Sequence, residues 1–316
     1  MSSKITLGIS ACLLGEKVRY DGGHQADRFI IETLGNYVDF FPVCPETECG
    51  LGVPREAMHL SGDWENPRLI TIHSKVDYTD RMLQWSRSRV NELKQAELCG
   101  FIFKSNSPSS GMERVKVYDE KGIPVKKGIG LFAREFMTGF PLMPVEDDGR
   151  LHDPKLRENF IERIFALKRW REMVASKPRL RDLVDFHTQH KYLVLSHSRQ
   201  HYQKLGQLVA QTEALPLAQR LAAYQTIFLE GLKIKTTPSK HAEVLLHLLG
   251  YFKKDLSADE KQEMLEWINN FKLELVPLIV PLTLMQHYVR KYDQPYLKKQ
   301  IYLNPHPLEL KLRNHV

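Results

Sequence analysis

Apolar positions follow two different rhythms along this chain, and the change comes near residue 150. Before it, short apolar runs alternate with longer amphipathic stretches. Ile5–Ile9 predicts a buried strand that runs into a loop carrying Cys12. Val38–Val43 predicts a second strand that ends on Cys44, and Cys99–Phe103 predicts a third leading into the loop 107–110. Gln25–Leu34 is expected to be helical, and Tyr78–Lys94 has helical spacing of Met82, Trp85, Val90 and Leu93. Met112–Tyr118 alternates, which predicts a strand with Arg114 and Lys116 on one face near the strand-end loops. Strands alternating with helices imply an α/β domain with a mostly parallel sheet.

After a turn-rich stretch, Pro141–Pro154, the spacing becomes helical throughout. Helices are expected over Lys155–Ser176, Arg179–Ser196, His197–Thr212, Leu217–Leu232, Ser239–Phe252 and Ser257–Phe271. Asp153-Pro154 and Ser257-Ala-Asp-Glu260 have the form of helix starts, where a short polar side chain caps the first free amides. No repeat of 20–50 residues is present. The reading is an α/β domain over residues 1–150, followed by an all-α domain over residues 151–316.

Bulk composition narrows the class. With 316 residues, 42% hydrophobic and 26% charged, the chain has the make-up of a soluble globular protein of two domains. Its longest apolar-leaning stretch, Leu273–Met285, contains Glu274 and two prolines and is too short to span a bilayer. The N-terminal residues lack a signal-peptide pattern, so a cytoplasmic, non-membrane protein is expected, with no obligate protein partner evident.

Charge and cysteine are both unevenly placed. Residues 1–150 hold 19 Lys and Arg against 21 Asp and Glu, whereas residues 151–316 hold 26 against 17, with 10 of the 13 histidines. A basic module beside a near-neutral one suggests polyanion binding, the alternative being a solvated basic surface. All four cysteines (Cys12, Cys44, Cys49 and Cys99) lie in the first hundred residues, so any thiolate site belongs to the α/β domain. Three times an apolar strand ends in a loop with chemistry on it: Cys12, Cys44-Pro-Glu46, and Ser107 to Ser110. Sites in open α/β sheets gather at the carboxyl ends of strands, so these three loops are expected to converge.

The segments Ser10-Ala-Cys12-Leu-Leu-Gly15…Arg19-Tyr-Asp-Gly22, Cys44-Pro-Glu46…Gly50-Leu-Gly-Val-Pro-Arg55 and Ser107-Pro-Ser-Ser110-Gly111 together resemble the thiouracil desulfidase family. That family consists of iron–sulfur enzymes that strip sulfur from thiolated uracil. The resemblance implies a 4Fe-4S cluster with one iron open to substrate, held by three cysteines. Cys12 and Cys44 match two of these ligands. Ser110 stands where the family has the third, so the metal site lacks one thiolate. Glu46 matches the carboxylate that handles the proton of the attacking water, and Ser107 matches a serine touching substrate. Arg19, Tyr20, Asp21 and Arg55 also match the pattern; each arginine suits a phosphate or carboxylate clamp, or a structural ion pair. Arg114 and Lys116 join this substrate-binding set from the alternating strand. Cys49, five residues after Cys44, is a candidate to replace the missing thiolate, while Cys99 reads as core.

The helical half resembles a module found fused behind this domain, through Leu156-Arg-Glu-Asn-Phe-Ile-Glu-Arg-Ile-Phe-Ala166 and Phe186-His-Thr-Gln-His-Lys-Tyr192. Fused versions imply removal of sulfur from 4-thiouridine in tRNA. Basic and aromatic residues interleaved in His187–Tyr202 and His287–Tyr292 suit RNA, though some of these rings must be helix core. The alternatives are a desulfidase of free thiouracil bases or nucleosides, and a non-catalytic RNA-binding or redox-sensing protein with a structural metal site. Cysteine spacing disfavours the latter, since no two cysteines are separated by only two residues.

Overall fold

The structure is a computed structural model, and it describes residues 4–211, 215–310 and 312–314. It divides between Asp153 and Pro154, three residues beyond the expected boundary.

The first unit runs β1 (Ile5–Ser10), β2 (Val38–Val43), α1 (Pro45–Glu48), β3 (Met58–Ser61), β4 (Arg68–Thr71), α2 (Thr79–Leu93), β5 (Phe101–Phe103), β6 (Val115–Tyr118), β7 (Pro124–Gly128), α3 (Leu131–Gly139) and β8 (Val145–Asp147). One sheet has the order β2-β1-β5-β8, with every pairing parallel. Strand β1 lies inside it and is almost wholly buried, which accounts for its continuous rather than alternating apolar pattern. Gly8 lets Phe101 pack against this strand, because a Cβ there would meet the Phe101 ring at 2.2 Å. Phe101 and Phe103 of β5 pack on Phe132 and Phe136 of α3, and Trp85 of α2 meets Phe132 at 5.5 Å. The second sheet, β4-β3-β6-β7, mixes one parallel with two antiparallel pairings, so the mostly parallel expectation describes the first sheet only.

Three local expectations are corrected. Gln25–Leu34 is not an α-helix: a loop leads into a single wide turn at Phe29–Thr33 and a tight one at Leu34–Asn36. Its amides are drawn elsewhere, Gln25 N–H to Cys12 O and Asp27 N–H to Leu13 O, at 2.9 and 3.0 Å. The supposed boundary stretch Pro141–Pro154 contains β8, the fourth parallel strand. Strand β6 begins only at Val115, because Arg114 has a positive φ of 55° and lies outside it.

The second unit is helical: α4 (Pro154–Ala175), α5 (Leu180–His197), α6 (Arg199–Ala210), α7 (Leu217–Lys233), α8 (Pro238–Leu249), α9 (Ala258–Lys272), α10 (Ile279–Lys291) and α11 (Pro295–Lys298). Ser257 caps α9 reciprocally with Glu260, as its sequence implies. The expected end of the third helix at Thr212 lies outside the described residues. Helix α10 was not expected, since Pro281 interrupts its pattern; it falls in the first turn, where a missing N–H costs nothing.

Trp170 stacks on Tyr224 with ring centroids 5.2 Å apart, beside Phe186 and Phe228. A buried ionic cluster lies in the same unit. Arg313 donates to Glu158 at 3.2 Å, to Glu162 at 2.8 Å and to Tyr302 O at 2.8 Å. The other Glu162 oxygen is 3.2 Å from His197 Nε2. No described helix is long and apolar enough to cross a membrane.

Candidate active site

The three strand-end loops meet as the parallel sheet requires. Cys12 follows β1 in a tight turn closed by Gly15, whose φ of 92° suits glycine alone. Cys44 follows β2 and precedes α1, and its amide donates to Glu48 Oε1 at 2.9 Å, which fixes the start of that short helix. The serine loop follows β5 and rests on the first turn of α3: Leu131 N–H donates to Pro108 O and Ala133 N–H to Ser109 O. Gly130 makes that seat possible, because a Cβ there would meet the Ser109 carbonyl at 2.5 Å.

Together the loops enclose a cavity of about 400 Å³ lined by Cys12, Cys44, Glu46, Ser107 and Ser110, with Arg19, Tyr20 and Arg55 on its wall. A chain of hydrogen bonds crosses it. Ser107 Oγ lies 3.0 Å from Ser109 Oγ and accepts the Ser110 amide at 3.0 Å; Ser109 Oγ then donates to Glu46 Oε1. The second Glu46 oxygen is 3.6 Å from Cys44 Sγ and 3.9 Å from Arg55 Nη2. Arg55 is anchored in turn on Val18 O at 3.0 Å. Glu46 is thereby fixed beside a cysteine, with a cation and a hydroxyl holding its two oxygens.

Both cavity thiols are held in the protonated form. Burial, reinforced by Glu46, pushes Cys12 up to about 12 and Cys44 up to about 11. Such thiols are inert toward solvent reagents and become ligands only when a cation replaces their protons. Two thiols and a hydroxyl form the donor set. It fits a cluster held through Cys12 and Cys44 with an oxygen at Ser110, and it does not fit coordination by three thiolates.

The other expected residues are distributed differently. Asp21 does not line the cavity; its carboxylate accepts the Gly23 amide at 3.0 Å and closes the turn that displays Tyr20. That amide, and then Arg19, hold Asp21 below the usual carboxylate range. Arg114 is also absent from the wall. It is 81% exposed and turned to Glu113, because its left-handed backbone removes it from the face that carries Lys116. Lys116 lines a neighbouring groove. Cys49 does not replace the missing thiolate, because it packs with Leu51, Leu60, Leu69 and Met82. Cys99 is buried, as expected.

Sequence reading missed Ser109, Lys104 and Asp148. Lys104 lines the cavity and pairs with Asp148 at 2.7 Å, and the other Asp148 oxygen accepts the Ser105 amide. Burial alone would raise Asp148, but the bonds from Lys104 and Ser105 outweigh it and hold the carboxylate low. The available signal was an acidic run directly after an apolar residue, at the end of a fourth strand.

In the helical unit several residues expected to face RNA are structural. His190, Tyr192 and Tyr288 are buried, Arg199 pairs with Glu243 at 2.6 Å, and Lys291 pairs with Glu260 at 2.7 Å.

Comparison with known proteins adds an independent line. A family described as 2-thiouracil desulfurase matches residues 7–148, and a family of unknown function, DUF1722, matches residues 191–307. The chain is similar to the uncharacterized protein YbgA of Escherichia coli (strain K12), 29% identical over 156 residues, covering 48% of this chain and 90% of that protein. It is also similar to the uncharacterized protein YbbK of Bacillus subtilis (strain 168), 30% identical over 108 residues, covering 33% of this chain and 71% of that one. Among solved structures, the 4Fe-4S-dependent thiouracil desulfidase TudS is similar at 24% identity with a TM-score of 0.39, over 48% of this chain and 95% of that one.

Proposed function

Because the chain belongs to the 2-thiouracil desulfurase family over residues 7–148 and carries a DUF1722 module over residues 191–307, we propose that it is an iron–sulfur desulfidase converting 4-thiouridine in tRNA to uridine. The observation that carries this reading is the cavity itself, where Cys12, Cys44 and Ser110 share one wall system with a fixed Glu46.

The reaction is a hydrolysis: a C–O bond forms at the thiocarbonyl carbon, the C–S bond breaks, and sulfur leaves as sulfide without net redox change. Cys12, Cys44 and Ser110 would hold the cluster, which when bound supplies a sulfur-seeking Lewis acid. Glu46 takes the proton of the attacking water, which requires a carboxylate within hydrogen-bond reach of it. Ser109 and Arg55 fix the orientation of that carboxylate. Ser107, whose hydroxyl bonds Ser109 and the Ser110 amide and lines the cavity, suits contact with the entering base. Arg19 and Tyr20 form the exposed side of the wall and suit the sugar and phosphate. The excess of 26 Lys and Arg over 17 Asp and Glu in residues 151–316 supports a polyanionic substrate over a free base. Serine at position 110 implies a weakened form of the site, since a neutral hydroxyl binds iron less well than a thiolate.

The test is anaerobic cluster reconstitution of the chain and of its Ser110→Cys variant. Iron content and sulfide release from 4-thiouridine-containing tRNA and from free 4-thiouridine are measured together. The expected result is partial iron and weak sulfide release in the chain, with a full complement of iron and higher activity in the variant, tRNA being preferred by both. Failure of both proteins to hold iron sinks the reading.

A further inference from the structure

A groove of about 960 Å³ adjoins the cavity, and Met58, Asn106 and Pro108 line both. Lys75, Lys116 and Lys126 line it as exposed side chains, and none has a carboxylate partner among the described residues. Asp119 and Glu120 lie on the same wall. The Asp119 carboxylate is already held by the amides of Lys121 and Ile123, at 2.9 and 2.8 Å. His59 and Tyr118 line the same groove, with their rings 5.0 Å apart. Burial, and then Lys75, lower the His59 imidazole below its ordinary range.

Unpaired cations interleaved with aromatic faces are the chemistry that grips a nucleic-acid strand without reading its sequence. Continuity with the cavity sets the direction. A base turned into the smaller space leaves its sugar and phosphate at the shared rim, and the next nucleotides must then leave across the adjoining surface. We propose that this groove binds the RNA strand flanking the reacting nucleotide, with Lys75, Lys116 and Lys126 on its phosphates and the His59–Tyr118 pair against a neighbouring base. This inference rests on the desulfidase reading of the cavity. It gives Lys116 a place beside the reaction rather than in it.

The experiment uses the full chain and 4-thiouridine-containing tRNA, read by binding, so that it does not depend on cluster loading. The Lys75→Ala/Lys116→Ala/Lys126→Ala variant is expected to bind at least tenfold more weakly. Its plot of log affinity against log salt should be shallower by about 2, at ~0.7 per lost single-strand phosphate contact. Unchanged affinity and slope overturn the proposal. A second measurement needs no variant. RNA oligonucleotides with 4-thiouridine one or two positions from the reacting base are irradiated in the near ultraviolet, and crosslinked peptides are mapped. Crosslinks to peptides containing His59, Lys116 or Tyr118 support the groove, and crosslinks confined to other peptides overturn it. Absence of desulfidation by the reconstituted Ser110→Cys variant, with the groove crosslinks intact, would count against the cavity reading alone.

Discussion

Two carboxylate clusters in this protein share a similar set of partners and differ in what surrounds them. In the helical unit, Glu158 and Glu162 are closed on Arg313 and His197, and together with Tyr302 O these groups bond one another. In the α/β unit, Glu46 is also held by an arginine and a hydroxyl, yet it faces a cavity of about 400 Å³ beside two cysteines. In a charge cluster whose members bond one another, the carboxylates spend their hydrogen-bonding capacity inside the fold. A carboxylate fixed but open to a cavity is available to a proton. Charge and an arginine partner are common to both, whereas Glu46 is only partly buried and has open space beside it.

Breaking each cluster should expose that difference. Arg313→Ala removes the guanidinium shared by Glu158 and Glu162, leaving the buried Glu162 charge to His197 alone, and is expected to destabilise the helical unit by about 3–5 kcal/mol, read as a lower urea midpoint. Glu46→Gln, made in the Ser110→Cys background, should leave the urea midpoint nearly unchanged while slowing sulfide release by about 10²–10⁴-fold, the usual range for a general base. An equal loss of stability in both variants would erase the distinction. The smallest effect is on pH dependence. Burial first, and then the neighbouring Glu162, raise Glu158 from 4.5 to about 8. It is therefore protonated in the fold at neutral pH but ionised in the unfolded chain. Its stabilising contribution is full below about 4.5 and is lost as pH rises through about 8. His187, His190, His241 and His306 of the same unit are held low by burial and favour the fold as pH rises, so the Glu158 effect is read as a difference: the Glu158→Gln variant should gain melting temperature relative to the parent chain between about pH 5 and pH 9.

What could be read from the sequence followed from local rules. Strand ends carry sites in parallel sheets, so the Cys12, Cys44 and Ser107–Ser110 loops were expected together, and Cys12, Cys44, Ser107 and Ser110 line one cavity. Helix starts such as Ser257 were legible because a cap is a contact within four residues. The misreadings were all tertiary. Gln25–Leu34 loses its helix to amide bonds made with the Cys12 loop. Arg114 leaves the strand face through one left-handed residue. Glu146-Asp-Asp148 reads as a polar linker but is an edge strand whose carboxylates meet Arg150 and Lys104. Ser109 was passed over because its value lies in Glu46, 63 residues earlier in the chain.

The serine loop is held by its backbone: its carbonyls take the first amides of α3, and Gly130 lies flat against it. Nothing in that grip depends on the atom carried at position 110. An oxygen can stand there, or a sulfur, and the loop keeps its path. Several serine codons differ from a cysteine codon by a single nucleotide. Where the codon is one of these, a single base separates two donor sets on the same backbone-held loop.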